Sequence, residues 1–353
     1  MIEKRKISVM IVDESFFMRK LLREMLEADP DIEIVGEARD GSEAIAGCIR
    51  YQPDVITMDY DMPVMNGGEA TRRILALEKI KKPAILMISA FTGKGAAVTL
   101  ECLRAGAFSF VQKPSGELSL DINKAEQEIL AKIHAAAHAR IIEFPFLPER
   151  VTRKNYRGTE NAKTLIIIGA STGGPPLVEN ILVNLPVEIK ASIIVVQHMP
   201  RFFTETFTAR LDKLAYIPVM QPKDGEKLVD GKVLLVPGDT DLSVEKSEEL
   251  MDTNFVQLMG NESSDKPRPC IDVTMKSAAH NFAGRVIAVI LSGMGEDGRE
   301  GAVAVRKAGG YVIAQSPETA AVDSMTQEVI DAGVANEILS PDKIAHRLVT
   351  LTS

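Results

Sequence analysis

The chain of 353 residues is long enough for two domains of ordinary size, and its 45% hydrophobic and 25% charged residues are the balance of a soluble globular protein. A formal charge of −8 leaves no basic footprint for a phosphate backbone, which excludes nucleic acid as the main partner. No apolar run reaches the roughly 18 residues of a membrane span. The N-terminus shows no small-residue cleavage site, and Cys48, Cys102 and Cys270 are widely spaced in no ligand pattern, so reduced thiols, a cytoplasmic location and no membrane insertion are expected.

From residue 6 to residue 113 short apolar runs alternate with longer amphipathic ones. KISVMIVD, DIEIVGEA, PDVITMD, PAILMIS and FSFVQKP read as strands bounded by Asp, Gly and Pro. Between them SFFMRKLLREMLEA, GSEAIAGCIR, GEATRRILALEK and GAAVTLECLRAG carry helical spacing. This order predicts a (βα)5 unit, a doubly wound parallel sheet with helices on both faces. INKAEQEILAKIHAAAHARII extends the pattern as a helix. EFPFLPERVTRKNYRGTEN then loses periodicity and gains Pro and basic residues, as a linker over about residues 143–161 does.

A second series opens at KTLIIIGA, with ASIIVVQH, KVLLVPGD, RVIAVILS and YVIAQS as further strands. GPPLVENILVNL, RFFTETFTARLDKL, IDVTMKSAAHNF and DGREGAVAVRKAG read as helices between them, and LSVEKSEELMDTNFVQLMG as a hairpin with a charged turn. The expectation is a second doubly wound parallel-sheet domain, Rossmann-like. No repeat with a period of roughly 20–50 residues recurs, which argues against a solenoid.

Chemistry in open parallel sheets gathers at the carboxyl ends of the strands. In the first half those ends carry Asp13 and Glu14, then Asp59, Ser89 and Lys113. Each acid alone reads as a turn or cap residue; it is the set in this order that carries the signal. Three carboxylates beside one lysine call for a cation, and oxygen ligands suit Mg²⁺ on Asp13, Glu14 and Asp59. A carboxylate beside such a metal attacks a phosphoryl group while metal and lysine stabilise the transferring oxygens. Over about residues 6–123 these residues resemble the receiver domain of two-component response regulators. The resemblance implies that Asp59 is the phosphorylated aspartate, Asp13 and Glu14 the acidic pair, Ser89 and Lys113 the switch hydroxyl and lysine, and Phe110 the switch aromatic. Glu14 stands where Asp is usual and is one methylene longer.

In the second half LIIIGASTGGPP, residues 165–176, sets small residues around Ser171. Dinucleotide binding wants G-x-G-x-x-G with an acid about 20 positions on, and the next strand ends instead in His198. A P-loop lysine is absent too, since Pro175 and Pro176 follow Gly174. Gly169 to Gly173 is a literal G-x-S-x-G, whose small neighbours permit a sharp strand-to-helix turn exposing a serine. His198 ends the next strand, and Asp297 lies in the glycine-rich loop of VILSGMGEDG. The roles follow from chemistry: Ser171 attacks a carbonyl, His198 carries its proton, and Asp297 orients the imidazole. Backbone N–H groups near Thr172 and in the Gly293–Gly295 loop are candidate oxyanion donors. Read blandly, His198 is a satisfied strand-end histidine and Asp297 an N-cap for the helix near Gly298. His134, His138, His280 and His346 have no partner pattern. The chain order Ser…His…Asp excludes the α/β-hydrolase fold.

The receiver, the linker, IGASTGG, QHMP, RPCIDV and SGMGEDG together resemble the chemotaxis protein-glutamate methylesterases, essentially end to end. The resemblance implies hydrolysis of glutamate γ-methyl esters on chemoreceptors with release of methanol and, in many members, deamidation of receptor glutamines. It implies the triad Ser171, His198 and Asp297, oxyanion donors at the backbones of Thr172 and Met294, and no cofactor for the ester reaction. A chemotaxis-type histidine kinase is the implied phosphodonor and methylated chemoreceptors the substrates. The domains are then expected at 1–123 (receiver), 124–161 (helix and linker) and 162–353 (catalytic). The resemblance further implies that the unphosphorylated receiver covers the serine edge, a bias that phosphorylation would have to shift by up to ~5.5 kcal/mol. Departures from the pattern are a missing histidine near Asp241, no Met-Pro pair in SMTQEV, and Cys270 where serine is more usual, read as a buried small residue. Two other classes stay open at this level: a receiver-controlled binding module without hydrolysis, and a dinucleotide-dependent enzyme.

Overall fold

Strands that are apolar on both faces are buried only between two layers of helices, and the chain builds that arrangement twice. The structure is a computed structural model. It describes residues 5–78, 80–89, 93–113, 119–140, 161–247, 253–260 and 268–353. The chain divides into two units, Met1–Phe144 and Pro145–Ser353.

The first unit runs β1 (Ile7–Val12), α1 (Phe16–Glu27), β2 (Ile32–Ala38), α2 (Gly41–Tyr51), β3 (Val55–Asp59), α3 (Gly67–Leu75), β4 (Ala84–Ser89), α4 (Gly93–Arg104), β5 (Ser109–Gln112) and α5 (Ser119–His138). Among the described residues its five strands form one parallel sheet of order β2-β1-β3-β4-β5. Every residue of β3 and β4 is buried, as strands covered on both faces must be. Helix α1 buries Leu22, Met25 and Leu26, one stripe at helical spacing, and turns charged residues outward. Helix starts are set by side chains that satisfy the first free amides. Asp40 Oδ1 accepts from Ser42 N at 2.8 Å and from Glu43 N at 2.9 Å, and Asn66 Oδ1 accepts from Glu69 N at 2.9 Å.

The second unit runs β6 (Thr164–Ala170), α6 (Gly174–Val183), β7 (Ser192–Gln197), α7 (Arg201–Leu214), β8 (Val219–Met220), β9 (Lys232–Leu235), β10 (Asp241–Lys246), β11 (Asn254–Met259), α8 (Ile271–Asn281), β12 (Arg285–Ile290), α9 (Arg299–Lys307), β13 (Tyr311–Gln315), α10 (Ser324–Asp331), β14 (Glu337–Leu339) and α11 (Pro341–Thr352). Its seven-stranded sheet has the order β14-β13-β12-β6-β7-β9-β8, parallel at every pairing among the described residues. The chain winds one way from β6 through β7 and the other way through β12. The switch point, where such sheets open a crevice at their carboxyl ends, therefore lies between β6 and β12. Ile167, Ile194, Leu234, Ile271, Met275 and Ile290 lie in the core beneath it. Strands β10 and β11 form an antiparallel hairpin packed on α8, to which Thr274 Oγ1 fastens it by donating to Leu242 O at 2.9 Å.

Both doubly wound parallel sheets and the hairpin are where the sequence pattern predicts them. Beyond residue 316, where no element is expected from the sequence, the structure has α10, β14 and α11. Strand β14 is three residues and partly exposed, too short for periodicity to mark, whereas α11 buries Ile344, Ala345 and Leu348 in a legible stripe. Apart from Asn161, the linker expected at 143–161 lies outside the described residues, as do Pro114 and the hairpin turn at 248–252. Replacing Asp40 by Ala leaves two amides of α2 uncapped and is expected to destabilise the first unit by about 1 kcal/mol. Hydrogen exchange in the full chain checks this: β1 and β3 amides should lose protection while β6 and β7 amides keep theirs.

Candidate active site

Three adjacent strand ends bring the second unit's candidate residues to one level. The β6–β7 ladder pairs Ala170 with Gln197 and continues as His198 N donates to Ala170 O at 3.0 Å. On the other side Leu291 N donates to Gly169 O at 2.9 Å and Ser171 N to Ser292 O at 3.0 Å. Ser171, His198 and the loop from Ser292 to Gly298 thus leave β6, β7 and β12 side by side. The turn after Ser171 depends on glycine: Gly173 has φ +76°, and a Cβ there would stand 2.7 Å from Ala321 Cβ. The start of α6 is a poor anion site. Gly174 N is spent on Ser171 O at 2.9 Å, and Pro175 and Pro176 have no N–H to give. This removes the physical basis of a dinucleotide cradle here.

His198 Nε2 lies 2.7 Å from Asp297 Oδ2, with the two side chains 11% and 9% exposed. The imidazole therefore meets Asp297 through Nε2, and no hydrogen bond of Nδ1 is present among the described residues. No Ser171–His198 hydrogen bond is present among the described residues; the ladder makes the two neighbours. Asp297 is not the N-cap of α9, a position taken by Gly298, φ +98°, with no side-chain cap. Its carboxylate turns instead to the start of α8, where Oδ2 accepts from Ile271 N at 2.7 Å and Oδ1 from Asp272 N at 2.9 Å. Burial works to raise its pKa, but the hydrogen bond and charge of His198 and those amides outweigh it and hold Asp297 below the usual carboxylate range. Asp297 is therefore an anion at neutral pH, able to orient and stabilise an imidazolium.

Cys270 is buried, as its small apolar character indicates, and its Sγ lies 3.4 Å from Asp297 Oδ1. Burial, followed by the Asp297 charge, pushes the thiol up to about 12, which leaves it inert as a nucleophile. Asp241, the position of the missing histidine, accepts from Cys270 N at 2.7 Å and lies 3.6 Å from Arg268 Nε.

Among the described residues the N–H groups of Thr172 and Met294 donate to no protein acceptor, although their neighbours are pinned. Ser292 Oγ donates to Thr172 O at 2.8 Å, Gly293 N to Val322 O at 3.0 Å, and Gly295 N to Ser324 Oγ at 3.1 Å. A Cβ on Gly293 would stand 2.8 Å from Ser171 Cβ and 2.0 Å from Met325 Sδ, so this loop touches the serine. Two supports escape sequence reasoning. Gln197 Nε2 donates to Ser171 O at 2.9 Å and to His198 O at 3.3 Å, and Ser292 braces the Thr172 carbonyl. Their only sequence signal is a polar residue at the end of an apolar strand run.

In the first unit Lys113 Nζ lies 2.8 Å from Asp13 Oδ2 and 2.7 Å from Asp59 Oδ2. Those oxygens are buried, and neither receives a well-aligned hydrogen bond among the described residues. One lysine thus faces two carboxylates. Burial and the neighbouring Asp13 charge, against the Lys113 contact, push Asp59 up to about 6. Further positive charge would lower that penalty, so Asp13 and Asp59 fit a hard divalent cation. Glu14 is exposed, and no cluster of three acidic, His or Cys ligands is drawn together among the described residues. Ser89 and Phe110 are buried on neighbouring strands β4 and β5, with Lys113 N donating to Ser89 O at 2.8 Å. Lys132 Nζ stands 5.4 Å above the Phe110 ring and donates to Phe110 O at 2.6 Å.

Residues 166–348 match the CheB methylesterase family and residues 9–122 the response regulator receiver domain. The chain is 41% identical to a protein-glutamate methylesterase/protein-glutamine glutaminase of Carboxydothermus hydrogenoformans, across 98% of this chain and 99% of that protein. It is 39% identical to the Thermotoga maritima protein of the same description, across 98% and 99%. The crystal structure of the Thermotoga maritima CheB methylesterase catalytic domain superposes with a TM-score of 0.51 at 38% identity, covering 54% of this chain and all of that one.

Gly293→Ala forces the loop away from Ser171 and displaces the Met294 N–H. Steady-state ester hydrolysis should fall by about 10²-fold or more, the loss typical of one oxyanion donor. The raised Asp59 pKa has a stability consequence. The folded state holds a proton that the unfolded state releases, so stability falls as pH rises from about 4 to about 6 and stays lower above that. Asp59→Asn should therefore increase hydrogen-exchange protection of β3 and β4 at pH 7, with the gain vanishing near pH 4.

Proposed function

The chain belongs to the CheB methylesterase family, with a response-regulator receiver ahead of the catalytic domain, and from that premise we propose how its residues divide the work. It is a phosphorylation-regulated carboxylic ester hydrolase of chemotaxis: it cleaves glutamate γ-methyl esters and deamidates glutamines on chemoreceptors. The working division is receiver 1–123, helix and linker 124–161, and catalytic domain 162–353. No helix among the described residues is long and apolar enough to cross a membrane, and we place the protein in the cytoplasm, acting on receptor helices exposed there.

Ser171 is the nucleophile. As its Oγ attacks the γ-carbonyl carbon, His198 Nδ1 takes the hydroxyl proton, and Asp297 on the opposite nitrogen stabilises the imidazolium. Charge that develops on the carbonyl oxygen is met by the uncommitted N–H groups of Thr172 and Met294. The tetrahedral species collapses, the C–O bond to the methoxy group breaks, and His198 returns the proton so that methanol leaves. Water then repeats the sequence on the acyl-serine and releases the glutamate carboxylate. With a glutamine the leaving group is ammonia, a poorer one, so the same residues perform deamidation more slowly. The observation that carries this reading is the 2.7 Å His198–Asp297 contact beside Ser171 at the strand ends.

In the receiver, Asp59 takes a phosphoryl group from a phosphohistidine of a chemotaxis-type kinase: its carboxylate oxygen bonds phosphorus as the P–N bond breaks. Mg²⁺, held by Asp13 and Asp59 with Glu14 as the proposed third acid, would supply positive charge for the transferring oxygens. Lys113 sits between both carboxylates and moves to the phosphoryl oxygens, and Ser89 and Phe110 answer that change. The ester reaction needs no cofactor in this scheme. The regulatory hypothesis is that the unphosphorylated receiver holds back the catalytic domain.

Methanol release from methylated receptor membranes tests the whole reading. A small-molecule phosphodonor should stimulate the full-length protein. Ser171→Ala should lose activity by roughly 10⁴-fold or more, and Asp59→Asn should keep basal turnover without stimulation. Wild-type turnover by Ser171→Ala would contradict the nucleophile assignment.

A further inference from the structure

Asp297 is gripped by the N-terminus of α8, and the same two helices are joined a second time in the opposite sense. Asp272, in the first turn of α8 and 5% exposed, points its carboxylate at the start of α9. Its Oδ1 accepts from Gly298 N at 3.0 Å and from Gly301 N at 2.7 Å. The backbone N–H of Asp272 meanwhile donates to Asp297 Oδ1 at 2.9 Å. Each acid thus satisfies amides at the start of the other's helix. Free amides at helix starts carry partial positive charge that favours a carboxylate. Asp297 is held below the usual carboxylate range, whereas at Asp272 burial, together with the nearby Asp297 charge, outweighs the Gly301 and Gly298 amides and raises the pKa.

The close approach is built in. A Cβ on Gly301 would stand 2.6 Å from Met275 Cβ and 3.3 Å from Asp272 Oδ1; one on Gly298 would stand 2.6 Å from Ile290 Cδ1. Only glycines at these two positions let the α9 start settle onto Asp272. Asp297 immediately precedes Gly298 in the chain, so the bonds that fix Gly298 and Gly301 also fix the backbone from which Asp297 reaches His198.

We propose that Asp272 is a positioning residue of the catalytic triad: by capping α9 while its own N–H holds Asp297, it keeps the Asp297 carboxylate aligned on His198 Nε2. The inference rests on the reading of Asp297 as a triad member. Asp272 does not touch the reacting atoms. It acts through the loop from Asp297 to Gly301, and what it supplies is an acceptor oxygen at fixed range.

The test uses full-length protein with three variants and two readouts: kcat and KM on a methylated receptor substrate, and the far-downfield proton resonance of the His198–Asp297 hydrogen bond. Asp272→Ala should lower kcat by about 10²-fold, as misplacement on the ångström scale does, leave KM little changed, and lose the downfield resonance. Asp272→Asn keeps an acceptor oxygen and should restore both readouts. If Ala prevents folding, Asp272→Ser, whose shorter hydroxyl cannot reach both amides, takes its place with the same expected losses. Wild-type kcat and an intact resonance in Ala or Ser, with only thermal stability reduced, would make Asp272 merely structural and overturn the proposal. Failure of Asn to rescue would overturn it as well. Asp297→Asn separates the two levels: if that variant hydrolyses at the wild-type rate, the triad reading itself fails. If it is impaired while Asp272→Ala is not, only the positioning role fails.

Discussion

A carboxylate taken out of water must be given hydrogen bonds or lose its charge. Asp297 receives His198 Nε2 on one side and the first amides of α8 on the other, and its charge is kept. Much of the second unit can be understood as the means of bringing that arrangement about. Helix α8 must start beside the end of β12, and the hairpin that precedes it in the chain, β10 and β11, packs on that helix, tied to it by Thr274 and Asn281. The loop after β12 must turn sharply, so it is glycine-rich. A buried anion held by fixed backbone amides on the side away from the histidine is already oriented before substrate arrives, and it need not reorganise during reaction.

The parallel sheet supplies the other half of the geometry. Parallel strands place all their carboxyl ends on one edge, and continuous ladders through Ala170 and Gly169 set Ser171 and His198 on neighbouring strands at one level. The receiver uses the same edge differently. There Asp13, Asp59 and Lys113 leave adjacent or near strands to make a pocket with more negative charge than one lysine balances. One architecture thus presents an electron-rich pocket suited to a phosphoryl group and its cation, and a serine beside a histidine–carboxylate pair suited to an acyl group.

Much of this is legible in the sequence because it is local. Strand runs end where small or acidic residues begin, so Asp13, Asp59, Ser171 and His198 announce themselves as strand-end residues. The alternation of strands and helices is enough for both doubly wound sheets. What is not legible depends on residues far apart in the chain. Asp297 directly before a helix reads equally well as its N-cap, and only the packing of α8 turns its side chain away. The amides of Ile271 and Asp272 carry no pattern of their own, and the Gln197 bridge and the Ser292 brace show only a polar residue closing an apolar run, since their partners lie on other elements. Glu14 illustrates the converse: adjacent to Asp13 in sequence and in the same loop after β1, it is exposed where Asp13 is buried.

The central claim is that Ser171, displayed at the end of β6, is the nucleophile activated by His198. The most direct measurement is peptide mass spectrometry after reaction with a fluorophosphonate, which a serine activated in this way attacks with loss of fluoride. The account predicts a single adduct on the peptide containing Ser171, abolished in His198→Ala, with ester hydrolysis lost in proportion to labelling. Full labelling on another residue, or hydrolysis that survives complete modification of Ser171, would contradict it.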